Sequence, residues 1–179
     1  VVTSGAFSGF FLGLAGILTG MDEKKVRELP HLEYTGMKSE VICQASHDIV
    51  YNQALTNTGC KIVRVETAED VAKAVNERTE LMHFLHIESD KGKIQHEEWV
   101  ALGKKYGVPT SIDIAADVPP VSNLWRFNDM GFDFVVISGG KAIRGPQSAG
   151  LLMGKKNIIA AARLSMPPRG YNIGRGMKI

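Results

Sequence analysis

Short apolar, β-rich runs alternate with helix-like segments along the whole chain, and this alternation limits the folds that it can adopt. We predict strands at residues 1–3, 40–44, 61–65, 81–87, 109–114, 134–138 and 150–153. We predict helices between them at residues 8–18, 22–29, 48–57, 68–77, 96–106, 122–130 and 156–164. This pattern favours an α/β fold class with a mostly parallel seven-stranded sheet flanked by helices. The last strand follows the sixth without room for a crossover helix, so we expect it to run antiparallel.

Composition narrows the class of protein and of partner. The chain of 179 residues has the length of one domain, and its formal net charge is +2. Its 21 basic residues are dispersed, so we expect no nucleic-acid partner. The apolar run at residues 6–18 is shorter than the roughly 20 residues that span a bilayer, and we predict a buried helix there and no membrane partner. The two cysteines form no disulfide framework, which favours a cytoplasmic location.

The segment Ser138-Gly139-Gly140-Lys141 directly follows the predicted sixth strand. Its glycines permit a tight backbone turn, which would fix the lysine at the strand's end. Lysine amines form Schiff bases with carbonyl compounds, pyridoxal phosphate included. We therefore interpret Lys141 as a candidate catalytic residue. A solvent-exposed lysine in a glycine-rich turn is the alternative that this motif leaves open.

Two other strand ends supply groups that would complete such a site. Asp113 interrupts an apolar strand, where a carboxylate needs a cation or strong hydrogen bonds. A protonated pyridine nitrogen is such a cation, and a turn-capping aspartate is the alternative. Ser4, Gly5 and Ala6 join a strand end to a helix start, where backbone N–H groups bind phosphate; a plain serine N-cap is the alternative. Because ligands of α/β sheets bind at the carboxyl ends of strands, we expect these groups to converge.

Spacing argues against three other kinds of site. The glycines of the first predicted helix do not form the dinucleotide pattern G-x-G-x-x-G, and the glycine–lysine pair lacks the upstream glycine of a P-loop. His83 and His86 lie three apart on a predicted strand and would face opposite sides of the sheet. We therefore predict no metal site.

Several segments together resemble a known family. They are residues 138–147 (SGGKAIRGPQ) with the glycine and two leucines at 150–152, residues 113–120 (DIAADVPP), and residues 173–178 (IGRGMK). The chain resembles the large domain of the fold type I (aspartate aminotransferase-like) pyridoxal-phosphate enzymes. Within that superfamily it is most similar to the selenocysteine synthase and D-glucosaminate-6-phosphate ammonia lyase group. The resemblance implies pyridoxal 5′-phosphate as the cofactor.

The resemblance also implies a role for each candidate residue. Lys141 would form the Schiff base with the cofactor, and Asp113 would face the pyridine nitrogen. The other implied contacts are Ser4, Gly5, Ala6 and Ser138 at the phosphate, with His47 and Ala115 on the two faces of the ring. Arg144 and Arg175 would bind a substrate carboxylate or phosphate. A capping position for His47, a core position for Ala115 and surface positions for the two arginines remain open.

An activity and an organisation follow from the same resemblance. It implies a lyase or transferase that eliminates a β-leaving group and releases ammonia from a small amino acid or an amino-sugar acid phosphate. A selenocysteine synthase-like transferase, an aminotransferase and a non-catalytic fragment are the alternatives. We expect residues 1–166 to form a cofactor-binding large domain that is incomplete at its N-terminus. We expect residues 167–179 to begin the connection to a missing C-terminal domain of a homo-oligomeric protein.

Overall fold

Seven strands form one sheet with helices against both faces in the computed structural model, which describes residues 1–166. The strands are β1 (Val2–Thr3), β2 (Glu40–Gln44), β3 (Lys61–Val65), β4 (Thr79–Leu85), β5 (Thr110–Asp113), β6 (Phe134–Ser138) and β7 (Gly150–Gly154). The helices are α1 (Ala6–Thr19), α2 (Glu23–Glu28), α3 (Gln53–Thr56), α4 (Ala68–Ala74), α5 (His96–Tyr106), α6 (Asn123–Met130) and α7 (Lys156–Leu164). Short 3₁₀ helices lie at Ala45–His47, Val50–Asn52 and His86–Lys91. The predicted interdomain connection at 167–179 lies outside the described residues.

The strand order places the carboxyl ends of several strands along one edge. The order is β1-β7-β6-β5-β4-β2-β3. Strands β3, β2, β4, β5 and β6 are parallel to their neighbours in this series, whereas β7 is antiparallel to both β6 and β1. This confirms the predicted mostly parallel seven-stranded sheet and the antiparallel last strand. Because β7 is reversed against both neighbours, β1 points in the same direction as β6.

Two apolar clusters sandwich the sheet, one on each face. Along β6, Phe134 and Val136 belong to the cluster under α1 and α7, while Val135 and Ile137 belong to the cluster under α5 and α6. A strand that is buried on both faces has a continuous apolar sequence, and this pattern is the basis on which β6 was predicted.

Helix α1 is the buried helix that the first apolar run predicts. It begins at Ala6, two residues before the predicted start, and most of its side chains are buried against the sheet and α7. Within residues 1–166, no helix is both long enough and apolar enough to cross a membrane. Packing along its whole length fixes the N-terminus of α1 at the edge where β1 ends.

The strand predicted at 81–87 lies two residues earlier in the structure, at Thr79–Leu85. It ends at Leu85, whose backbone N–H donates to the ring nitrogen Nδ1 of His47 at 3.3 Å. The chain then turns into the 3₁₀ helix His86–Lys91. The side chain of His47 therefore accepts a hydrogen bond that a backbone carbonyl of a neighbouring strand would otherwise accept from Leu85.

The helix predicted at 48–57 is also broken. The structure has a 3₁₀ helix at Val50–Asn52 and then the short α3. The side-chain amide of Asn52 donates to the carbonyl of His47 at 3.1 Å and to Asp48 Oδ1 at 3.2 Å. Such local side-chain bonds compete with the regular helix ladder.

Two glutamates at the opposite edge of the sheet occupy contrasting environments. Glu40 accepts a hydrogen bond from Arg78 Nε at 2.7 Å and from Asn76 Nδ2 at 2.8 Å. Burial alone would raise the pKa of Glu40, but these bonds outweigh it and lower the pKa. Glu80 is buried 3.6 Å from Lys38 Nζ, and burial raises its pKa.

Substitution of these glutamates by glutamine should change stability in opposite directions. Ionised Glu80 is disfavoured in the fold, so Glu80→Gln should raise the free energy of unfolding at pH 7, and this gain should shrink as the pH falls toward 4. Glu40→Gln should lower the free energy of unfolding by about 1 kcal/mol at pH 7, because it weakens charge-assisted bonds to partly exposed partners. Urea unfolding at both pH values measures the two effects, and changes of the same sign at pH 7 would contradict this account.

Candidate functional site

A cleft of about 300 Å³ opens at the carboxyl edge of the sheet. Five of the residues singled out from the sequence line it, namely Ala6, Asp113, Ala115, Ser138 and Lys141. They belong to the β1–α1 connection, the end of β5 and the end of β6. The structure therefore brings the three predicted strand ends into one cleft.

A tight turn presents Lys141 at the mouth of this cleft. The backbone N–H of Gly139 donates to the carbonyl of Ala149 at 2.7 Å, which closes the base of the loop between β6 and β7. A Cβ atom at Gly140 would lie 2.5 Å from Gln147 Cα, so a side chain there would collide with the returning backbone. Lys141 itself is exposed, and its amine has access to a ligand in the cleft.

Asp113 lies at the end of β5, on the wall of the cleft. Its Oδ1 accepts the backbone N–H of Ala115 at 2.8 Å. Burial raises the pKa of Asp113 to about 6, and neither that hydrogen bond nor the positive charge of Lys141 compensates for it. A cationic group placed against the carboxylate would favour its ionised form.

The start of α1 provides an anion-binding end. Gly5, with φ 91°, is the N-cap residue of the helix and, as a glycine, has no side chain that could cap it. The first backbone N–H groups of a helix lack intrahelical partners and bind anions readily. A Cβ atom built on Gly5 would meet none of the described atoms within 4 Å, so there is space above the helix end. We use the term phosphate cradle for Ser4, Gly5, Ala6 and Ser138, the residues that we predict to bind a phosphate.

Asp117 also lines the cleft, although the sequence analysis gave it no role in the site. Its backbone N–H does donate to the carbonyl of Ile114 at 3.2 Å, as a turn residue would. Its side chain also lines the cleft, where burial raises its pKa and the charges of His86 and Lys141 lower it. Its position four residues after Asp113 was the only signal in the sequence.

The remaining wall of the cleft is apolar and was not predicted. Its residues are Phe7, Phe10, Ile49, Tyr51, Leu85, Ile87 and Ala116. Hydrophobic periodicity shows which side chains leave water, but it does not distinguish a core contact from a cavity wall.

His47 lies behind the cleft wall. Its ring is fully buried, with Nδ1 accepting the Leu85 N–H at 3.3 Å and Nε2 donating to the carbonyl of Glu88 at 3.1 Å. Burial lowers the pKa of His47 to about 4, so the ring is neutral. His47 is not among the residues that line the cleft, and its contact with a cofactor ring stays a prediction.

The structure does not place in the cleft wall either of the two arginines that we predict to bind the substrate: Arg144 is not among the residues that line the cleft. Arg144 is exposed in the loop after Lys141, with φ 57°, and its backbone N–H donates to the Lys141 carbonyl at 2.9 Å. Arg175 lies outside the described residues. A substrate-binding role for either arginine stays a prediction.

The histidines considered for a metal pair have separate partners. His83 Nδ1 lies 2.9 Å from Ser111 Oγ, whereas His86 Nδ1 lies 2.9 Å from His96 Nε2. Within residues 1–166, no three histidine, cysteine or acidic side chains are grouped so that they could hold a metal ion.

Comparison with known proteins gives a family and several relatives. The model of the aminotransferase class-V family matches residues 39–169. A 5′-C-glycyluridine monooxygenase-decarboxylase from Streptomyces sp is 29% identical over 98% of this chain and 45% of its own length. A D-glucosaminate-6-phosphate ammonia lyase from Salmonella typhimurium is 28% identical over 99% of this chain and 48% of its own length. An L-seryl-tRNA(Sec) selenium transferase from Serratia proteamaculans is 28% identical over 68% of this chain and 30% of its own length. The chain thus spans about half the length, or less, of these curated relatives.

Solved structures share the architecture. The structure of a D-glucosaminate-6-phosphate ammonia-lyase superposes with a TM-score of 0.81 at 27% identity, over 92% of this chain and 46% of that one. An aspartate aminotransferase from Thermotoga maritima superposes with a TM-score of 0.68 over 99% of this chain and 48% of that one, and at 15% identity it shows the fold alone. Since the family model covers most of the sequence and the fold agrees, this chain belongs to the aminotransferase class-V family of fold type I pyridoxal-phosphate enzymes.

Proposed function

We propose that this chain is the cofactor-binding part of a pyridoxal-phosphate-dependent lyase that eliminates a β-leaving group and releases ammonia. Its substrate would be a small amino acid or an amino-sugar acid phosphate. The observation that carries the proposal is that Lys141 and Asp113 line one cleft together with Ala6 and Ser138 of the phosphate cradle, whereas Ser4 and Gly5 are not among the lining residues. The relative and the solved structure named D-glucosaminate-6-phosphate ammonia lyase support this reaction type.

The residues of the cleft fit pyridoxal phosphate. Its volume of about 300 Å³ lies at the small end of the range for small-molecule sites. The carboxyl of Asp113, with its raised pKa, suits a protonated ring nitrogen, and the open space above Gly5 suits a phosphate at the helix end. When bound, the cofactor supplies an electron sink for a carbanion next to the substrate nitrogen.

Each residue then has a definite task. Lys141 Nζ would hold the cofactor in the resting enzyme and, when its amine is free, would take the proton from the substrate Cα. The bond from the substrate Cβ to the leaving group would break with its electrons leaving on that group, and water would hydrolyse the remaining enamine to a keto acid and ammonia. Asp113 would hold the proton on the ring nitrogen, and Ala115 would lie against the ring. Arg144 would bind the carboxylate or phosphate of the substrate.

Other reactions on the same scaffold are the alternative. The relatives named as a monooxygenase-decarboxylase and as selenium transferases match the same part of the chain. A keto acid and ammonia in equal amounts, formed without consumption of oxygen, would identify the lyase. Oxygen uptake with release of carbon dioxide, or transfer of the amino group to an added keto acid, would contradict it.

We also propose that the full-length protein is a cytoplasmic homo-oligomer. Val50, Tyr51 and Ile87 are 70%, 66% and 64% exposed, and Tyr51 and Ile87 stand at the cleft. Exposed apolar side chains grouped around a site are typical of an interface. Cys43 and Cys60 are buried free thiols, which is consistent with a reducing compartment.

Lys141→Ala should abolish covalent attachment of the cofactor, because no amine would remain at that position. After addition of pyridoxal phosphate and reduction with borohydride, mass spectrometry of the unmodified protein should find a pyridoxyl adduct on Lys141. Lys156→Ala, at an exposed lysine on α7, should leave the adduct unchanged. An adduct on a different lysine, or none at all, would remove the proposal.

Asp113→Asn should stabilise the cofactor-free protein while weakening cofactor binding. Burial raises the pKa of Asp113 from 3.8 to about 6, so its ionisation costs roughly 3 kcal/mol of folding free energy at pH 7. The gain should develop as the pH rises from 4 to 6, stay constant above that range and be absent below it. Denaturant unfolding across this range, with exposed Asp129→Asn as the control, measures it. Equal stability of Asp113→Asn and the unmodified protein at pH 7 would contradict this reading of the site.

Ile87→Asp should shift the full-length protein toward smaller species, because a charge would be buried in the proposed interface. Light scattering coupled to size-exclusion chromatography measures the mass. Met21→Asp, at an equally exposed apolar residue after α1, should leave it unchanged. A monomeric unmodified protein would refute the oligomer without affecting the cofactor site.

A further inference from the structure

We propose that Thr3 and Gly150 are positioning residues for the phosphate cradle. Neither contacts the cofactor in this account. Together they fix the direction of the first backbone N–H groups of α1 and the approach of α1 to Ser138. The inference rests on the proposed function, because it concerns how that cofactor's phosphate is held.

Thr3 holds the peptide group at the start of α1. Its side chain is completely buried, and its hydroxyl donates to the carbonyl of Gly5 at 2.8 Å. The same carbonyl accepts the backbone N–H of Gly9 at 3.2 Å, as the first bond of the helix. Two donors therefore fix the direction of the Gly5 carbonyl.

Fixing this carbonyl also fixes a donor on the cleft side. In a planar trans peptide, the N–H of Ala6 points opposite to the C=O of Gly5. The carbonyl points into the helix, so the Ala6 N–H points out of its N-terminus, and Ala6 lines the cleft. Gly5 adopts φ 91°, a conformation that few other residues adopt, and by itself a glycine would leave this peptide free to rotate. The Thr3 hydroxyl removes that freedom.

Gly150 provides the space in which this arrangement is possible. It is the first residue of β7 and pairs with Thr3 on one side and with Ser138 on the other. A Cβ atom on Gly150 would lie 2.5 Å from the carbonyl carbon of Gly5, 2.6 Å from its oxygen and 2.8 Å from Thr3 Oγ1. Any side chain at residue 150 would thus displace the atoms that form the Thr3–Gly5 hydrogen bond.

The position of Gly150 links the two halves of the cradle. In the sheet, β7 alone lies between the end of β1, which leads into α1, and the end of β6, which carries Ser138. A side chain on that strand would push the helix end away from Ser138. Gly150 is therefore required here for close approach, whereas Gly5 is required for its backbone angle.

The test compares two ligands that differ only in the phosphate. Pyridoxal phosphate needs the cradle, whereas pyridoxal, which carries a hydroxyl in place of the phosphate ester, does not. Thr3→Val removes the hydroxyl and keeps the volume, so it should raise the Kd for pyridoxal phosphate about tenfold, the equivalent of one lost hydrogen bond. The Kd for pyridoxal should stay within about twofold, and Thr3→Ser should restore the binding of pyridoxal phosphate.

Gly150→Ala provides a second, independent variant. It should raise the Kd for pyridoxal phosphate at least as much as Thr3→Val, again without affecting pyridoxal. The phosphorus resonance of bound pyridoxal phosphate should shift in both variants and be restored in Thr3→Ser. If Thr3→Val does not fold, Gly150→Ala and Thr3→Ser still decide the outcome.

Thr58→Val is the matched control. Thr58 is another completely buried threonine, and its hydroxyl donates to the carbonyl of Leu55 at 2.6 Å, away from the cleft. This variant should lose stability to a similar degree while keeping the ratio of the two dissociation constants.

The outcomes separate this inference from the function on which it rests. If the unmodified protein binds neither ligand, the proposed function itself fails. If it binds both, but Thr3→Val and Gly150→Ala weaken both equally or leave both unchanged, the positioning role is refuted and the proposed function stands.

Discussion

The antiparallel pairing of β7 with both of its neighbours is the constraint on which the site depends. Gly150 pairs with Thr3 on one side and Ser138 on the other, so the ends of β1 and β6 point the same way across one reversed strand. Hydrogen bonds along both ladders hold these ends at fixed distances. The N-terminus of α1 and the loop of Lys141 thus reach one cleft, although one comes from the beginning of the chain and the other from near the end of the described residues.

The two carboxyl groups of the cleft are buried, which disfavours their ionised forms. Asp113 and Asp117 both have a pKa raised by burial, and each carboxylate is partly compensated by the amine of Lys141. A cationic ring bound next to Asp113 would offset the loss of hydration of its carboxylate. Cofactor binding would thus recover folding free energy that the buried carboxylate costs. The buried histidines contrast with this. Burial lowers the pKa of His47 to about 4 and that of His83 to about 3, which keeps both neutral and structural.

Local patterns predicted the parts of this molecule that are set by local sequence. Continuous apolar runs gave the strands, the short link before residue 150 gave the antiparallel β7, and the rule for strand ends brought Asp113 and Lys141 together. The errors occur where a side-chain hydrogen bond decides the course of the backbone, from a distant segment at Leu85 and from a nearby residue at Asn52. Leu85 ends its strand because His47 takes its N–H, and Asn52 breaks a predicted helix by bonding to the carbonyl of His47. No periodicity in one segment encodes such a bond. The need for a glycine at residue 150 could likewise not be predicted from the sequence, because it arises from contact with Gly5, which is distant in the chain.

The residues that line the cleft have two different structural origins. Asp113 and Lys141 lie at or just after strand ends, whereas two residues of the apolar wall, Tyr51 and Ile87, lie in short 3₁₀ helices. Those segments are held by a few long-range bonds. His47 bonds to Leu85 and Glu88, and the amide of Gln44 bonds to both backbone groups of Ile94 at 2.9 and 3.0 Å. A wall built in this way can change while the cofactor groups stay in place. Relatives named for three different reactions match this chain at 28–29% identity, which is consistent with one fold carrying different chemistries.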